Sequence, residues 1–145
     1  MIYRYIFRLY IQTDFCKYVL GVPSHTSNIA VLGETGRLPL YVQYYKRCIK
    51  YWLKLLLMPS HRYPKACYSM LYRLDQNGRS TWASSVKHLL QKYGFHDVWN
   101  EQGVGNTVLF LNIFTERVQQ VYVEEWEHDV SQSHFRFLVT CVVHV

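Results

Sequence analysis

The sequence predicts an all-α fold, a small bundle of about five to six helices with irregular or strand-like termini. Three observations lead there. Half of the 145 residues are hydrophobic, enough for one core. Gly and Pro are scarce, which argues against a loop-rich chain. Apolar residues recur at three- and four-residue spacing between stop signals, the mark of helices with one buried face.

Residues 1–22 fit two patterns. Arg4, Arg8 and Gln12 recur every four residues, as on a helix, whereas Tyr3, Tyr5, Phe7, Leu9 and Ile11 alternate, as on a strand. The helix is the preferred reading, running through Leu20 and ended by Gly21 and Pro23. Thr26 or Ser27 should cap a second helix that stops at Gly36. The third, about Pro39 to Leu57, has the clearest pattern, because Tyr41, Tyr45, Cys48, Ile49, Trp52, Leu55 and Leu56 make one apolar stripe. A fourth helix is expected over about Pro64 to Asn77, stopped by Gly78. Ser80 should cap a fifth, with Trp82, Val86, Leu89, Leu90 and Tyr93 inward, Gly94 at its end and Phe95 packing over that stop. Val98 and Trp99 are placed in a short connection before the loop Gly103-Val-Gly105. Asn106 or Thr107 should cap the last helix, about Val108 to His128, which buries Leu111, Phe114, Val118, Val121 and Tyr122. Phe135 to Val145 is rich in β-branched residues and reads as a strand or a tail.

Charge is divided along the chain. Up to Leu74 there are eleven Lys and Arg against Asp14 and Glu34, and from Asp75 onward five against eight. A basic half suits an anionic partner, usually nucleic acid, although a self-neutralising chain has the same composition. The third helix gathers the charge best. At about 100° per residue, Gln43, Lys46, Arg47, Lys50 and Lys54 share one arc opposite the apolar stripe. Lys46, Lys50 and Lys54 are one turn apart, roughly 6 Å, a spacing that follows a phosphate backbone. Tyr44 and Tyr51 flank the arc, where they can stack on bases. The competing reading is a solvated polar face.

Other chemistry finds little support. The seven histidines, His25, His61, His88, His96, His128, His134 and His144, lack metal-ligand spacing, and no cofactor is expected. Cys16, Cys48, Cys67 and Cys141 form no close pair, so they read as reduced, mostly buried thiols of an intracellular protein. Gly103-x-Gly105 lacks the remaining elements of a phosphate loop. The basic half has too few acids for a two-metal site, and Glu34 near Arg37 suggests an ion pair at a helix end. Glu124, Glu125, Glu127 and Asp129 cluster at helical spacing and read as a solvated face, with Glu116 also outward. No Ser or Cys comes with a catalytic base, and Cys48 should be buried and its pKa raised. A non-enzyme is therefore expected. Arg4, Arg8 and Lys54 interrupt the apolar runs before they reach signal or membrane-span length, so neither secretion nor a membrane is expected. That leaves the nucleus or the cytoplasm, and no small-molecule substrate is expected.

Several of these segments resemble a known family. Phe15-Cys-Lys-Tyr-Val-Leu-Gly-Val22 is similar to an FCK-x-LLGV segment, and Ser27-Asn-Ile-Ala-Val-Leu-Gly-Glu-Thr-Gly-Arg-Leu-Pro-Leu40 to its companion N-x-AV-x-GE-x-GR-x-PL. Ile49-Lys-Tyr-Trp52 matches a following IKYW, and Trp82, Tyr93-Gly-Phe95, Val98-Trp99, Phe110, Phe114 and Trp126 continue the pattern. The family segments they resemble lie in the C-terminal region, downstream of the reverse transcriptase domain, of non-LTR (LINE-type) retrotransposon proteins. The resemblance divides the chain into an atypical 1–14, a helical retroelement-like 15–130 and an atypical 131–145. It implies a helical accessory region near RNA or DNA, without the polymerase's paired aspartates, the endonuclease residues or the Cys/His knuckle of some relatives.

The expected function is thus a non-catalytic fragment of a retrotransposon-encoded reverse transcriptase protein that binds RNA or DNA through Lys46, Arg47, Lys50, Lys54, Tyr44 and Tyr51. The alternative is a protein-interaction module packing on a reverse transcriptase domain or similar polymerase, with the third helix's apolar stripe partly exposed.

Overall fold

The computed structural model describes residues 2–132, with side chains from 11 to 131. The described chain is all-α, with seven helices: α1 Ile2–Leu20, α2 Asn28–Thr35, α3 Leu40–Leu57, α4 Tyr63–Gln76, α5 Trp82–Lys92, α6 His96–Glu101 and α7 Thr107–Gln132. No described helix is long and apolar enough to cross a membrane. Helix, not strand, is therefore the form of the N-terminal segment from Ile2, and α1 runs without a break across the 14/15 boundary. The expectation for Phe135 to Val145 lies outside the described residues.

Packing divides the chain into two compact units. One holds the described residues through Val42 and from Val118 onward; the other is Gln43–Arg117.

In the first unit, backbone stops fix the helix ends. Gly21 and Gly36 take left-handed φ values of 66° and 59°. Beside them the N–H of Val22 donates to Lys17 O at 3.1 Å, and that of Arg37 to Leu32 O at 3.3 Å. These bonds satisfy carbonyls that the helices would leave bare. The Gln12 amide clasps the chain ahead of α3: its Nε2 donates to Leu38 O at 3.0 Å, and its Oε1 accepts from Leu40 N at 2.8 Å. Lys17 is 8% exposed and donates to Ser24 O at 2.7 Å, so this cation is spent on a turn. Gly33 lies inside α2 because Trp126 packs over it. A Cβ there would come within 3.0 Å of the indole, whose Nε1 donates to Ile29 O at 3.1 Å.

The second unit is built on aromatic contacts. Ile49, Trp52, Leu53 and Leu55 of α3 are buried with Val86 and Leu90 of α5 and Phe114 of α7. Trp52 stacks on Trp99 at 5.9 Å between centroids. That contact shows why Val98 and Trp99 belong to a helix rather than a connection. α6 has six residues, too few to display a period, and burial of Trp99 holds it in place. The N-cap of α5 is Thr81, not Ser80. The Thr81 N–H donates to Ser84 Oγ at 2.9 Å, and Thr81 Oγ1 donates to Leu71 O on α4 at 3.2 Å. Gly94 ends α5 as the sequence predicted, with a φ of 85° and Phe95 N donating to Leu90 O at 2.8 Å, while the Phe95 ring lies 5.3 Å from that of Phe110. Asn106 Oδ1 accepts from the N–H groups of Val108 and Leu109, both at 3.0 Å, and so caps α7.

Tyr68 joins these helices. Its hydroxyl accepts from Trp52 Nε1 at 2.9 Å and donates to Gln102 Oε1 at 2.6 Å. Gln102 Nε2 donates to Trp99 O at 2.6 Å. Gln102 is left-handed without being glycine, at φ 50°, a conformation that costs about 1–3 kcal/mol unless the surroundings fix it. Its two amide bonds supply that constraint.

Tyr68→Phe should therefore lower stability by about 1–3 kcal/mol, because it strands the Trp52 N–H and a Gln102 oxygen in the core. Urea unfolding followed by circular dichroism measures this, and a loss well under half a kcal/mol would contradict it. Alkali should act in the same direction. Burial pushes the Tyr68 and Tyr122 phenols above their ordinary 10.0, and the Cys48 thiol above 9.0. Below those ordinary values both states hold the protons and stability is full. As pH rises through the interval up to the raised values, the unfolded chain releases protons that the folded chain keeps, and stability falls. The urea midpoint should decline from about pH 9 upward, and Tyr68→Phe should flatten the part above pH 10.

Candidate nucleic-acid interface

All six predicted residues lie on one stretch of α3, within the Gln43–Arg117 unit. The helix begins after Pro39, which is buried, and turns Ile49, Trp52, Leu53 and Leu55 into that unit's core. The same turn sets the outer face. At about 100° per residue, Lys50, Gln43, Lys54 and Arg47 share an arc of roughly 60°, and all four are exposed. Lys46 is at the arc's margin, half-buried beside the core-facing side. It is the weakest member of the predicted row, which centres on Arg47, Lys50 and Lys54 instead. None of the four cations is ion-paired among the described residues.

The two tyrosines follow Arg47 around the helix. Tyr51 is 49% exposed and meets the Trp82 ring edge-on at 5.8 Å, while Tyr44 is 36% exposed and tilts against Tyr45 at 6.1 Å. Cys48, one step further, is half-buried. Desolvation raises its pKa, and hydrogen bonds with Trp82 and Tyr44 oppose that rise. The direction is the one the sequence suggested, although the burial expected there is only partial.

This tyrosine side opens into a groove of about 790 Å³ between α3, α4 and α5. Arg47 lines it together with Tyr44, Tyr51, Tyr63, Tyr68 and Trp82. Sequence reasoning missed Tyr63 and Trp82 as site residues. Tyr63 falls at the start of α4 and shows no period, and Trp82 reads as an inner-face residue of α5 although it is only partly buried.

The other candidates stand apart. Among the described residues no three His, Cys, Asp or Glu gather in a way that could hold a metal ion. His25, His61, His88, His96 and His128 are all exposed, and His134 and His144 lie outside the described residues. The cysteines are less buried than predicted. Cys16 is buried, Cys48 intermediate and Cys67 exposed at the groove, and Cys141 lies outside the described residues. Glu34 and Arg37 are exposed, and among the described residues neither has an ion pair. Glu116, Glu124, Glu125 and Glu127 are exposed, as a solvated face should be. Compared with known proteins the chain finds no match, whether to a family model, a curated protein or a solved structure.

Proposed function

We propose that this chain is a non-catalytic nucleic-acid-binding region, of the kind that accompanies a reverse transcriptase, and that α3 makes the contact. One observation carries the reading. Arg47, Lys50 and Lys54 are exposed in a row along one helix, with no carboxylate on that helix and no ion pair among the described residues. Each charge is thus available to replace a condensed counterion on a phosphate backbone, and the release of those ions drives binding. The resemblance of residues 15–130 to the region downstream of a retroelement polymerase supports the same partner class.

Salt titration tests this. With three or four phosphate contacts, affinity for RNA or DNA should fall roughly 20- to 150-fold between 50 and 200 mM salt. An affinity indifferent to salt would overturn the reading.

A second reading, a module that packs on a polymerase-like partner, has its own observation. The α3 apolar stripe is largely buried, so it does not offer that surface. α1 does: Ile11, Phe15, Tyr18 and Val19 are exposed at helical spacing. Contact through this stripe would be apolar and nearly insensitive to salt, so the same titration separates the two readings.

A further inference from the structure

We propose that the groove between α3, α4 and α5 takes an unstacked base of a single-stranded nucleic acid, while Arg47, Lys50 and Lys54 hold the adjoining phosphates. The inference rests on the reading of α3 as a phosphate-binding helix and adds what is selected: a strand whose bases are free.

Adjacency is the first argument. Around α3 the cationic arc ends at Arg47, and Tyr51, Tyr44, Leu55 and Cys48 occupy the next roughly 100°. Arg47 belongs to both surfaces, since it also lines the groove. A strand laid along the cations therefore passes the groove mouth within one side chain's reach.

The lining is the second argument. Arg47 is the one charged residue among those that line the groove, none of which is acidic; the rest are aromatic, aliphatic or sulfur-bearing. Such a surface suits a flat apolar π-face next to an anion, which a nucleotide is. The groove's volume of about 790 Å³ lies within the range of ligand pockets, about 300–1,000 Å³. Bases within a duplex are stacked and cannot enter it without being flipped out.

Preorganisation is the third argument. The Trp82 ring of α5 meets Tyr51 of α3 edge-on at 5.8 Å and Tyr68 of α4 edge-on at 6.4 Å, which holds that aromatic wall in place before any ligand arrives. Tyr51 is left half-exposed between Arg47 and Trp82, and Tyr63 stands almost fully exposed at the start of α4. Those two rings are free to stack, and stacking tolerates any base.

Fluorescence anisotropy with three labelled probes tests the proposal: an oligothymidylate, an abasic oligomer of the same length and charge, and a duplex. The oligothymidylate should bind about ten-fold or more tightly than the abasic oligomer. Tyr51→Ala and Tyr63→Ala should each remove much of that difference and leave the abasic affinity and its salt dependence unchanged. Tyr51→Phe should restore it, since the ring is kept. Circular dichroism confirms that the exposed substitutions leave the helices intact. Equal affinity for the two oligomers, as a groove meant for a protein segment would give, overturns the base-binding proposal alone. So does a preference for the duplex. If neither oligomer binds at any salt concentration, the phosphate reading of α3 fails first and takes this proposal with it.

Discussion

Arg47→Glu, Lys50→Glu and Lys54→Glu combined are expected to reduce affinity for nucleic acid by at least about 100-fold. Each displaced counterion contributes roughly five-fold near 0.15 M salt, so losing three contacts gives about that factor. Reversal adds repulsion between the new carboxylates and the phosphates. The fold should survive, because all three positions are exposed and Glu supports a helix as well as Lys or Arg does. Glu at position 54 opposes the helix dipole near the end of α3, at a cost of about 0.3–1 kcal/mol. Lys46 is left in place because it is half-buried, and a carboxylate there would bring a desolvation cost unrelated to binding. Anisotropy with RNA at fixed salt, beside a circular-dichroism melt, measures both consequences. Unchanged affinity in a folded triple variant would rule out α3 as the contact.

Trp52→Ala should cost about 3–5 kcal/mol and leave the Gln43–Arg117 unit marginal or unfolded. The side chain is fully buried, stacks on Trp99 and donates to Tyr68. Its removal opens a large cavity, deprives Trp99 of its stacking partner and removes a donor from a hydroxyl that also fixes Gln102. Domains of this size are stable by only about 5–15 kcal/mol, so the loss takes a large share. Trp52→Phe fills more of the space and should lose less. Urea unfolding gives the difference, and a cost below about 1 kcal/mol would show that the aromatic cluster is not what holds this unit together.

The candidate site's cationic row and the flanking Tyr44 and Tyr51 were legible in the sequence, and the aromatic walls opposite them were not. Lys50 and Lys54 declare their common face through a spacing that any helix enforces, whereas the walls facing Tyr51 come from Trp82 and Tyr63, which lie on other helices. Lys46 has the same spacing as its neighbours yet is half-buried, because the breadth of a helix's buried face depends on what packs against it. Lys17 shows the same limit: by composition it is a basic residue of the basic half, but the structure gives its ammonium to Ser24 O.

What the sequence determined unaided is local. The helical class, the order of the longer helices and their ends at Gly21, Gly36, Gly78 and Gly94 were all readable, each of these glycines taking a positive φ. Period and capping act within about four residues, and such signals survive in a linear string. Tertiary structure alone decided the existence of α6, the left-handed Gln102 and the groove beside Arg47. Each depends on a partner well away in the chain, such as Trp52 for Trp99 and Tyr68 for Gln102. Contacts of that kind exist only once the helices have packed, and no short-range pattern encodes them.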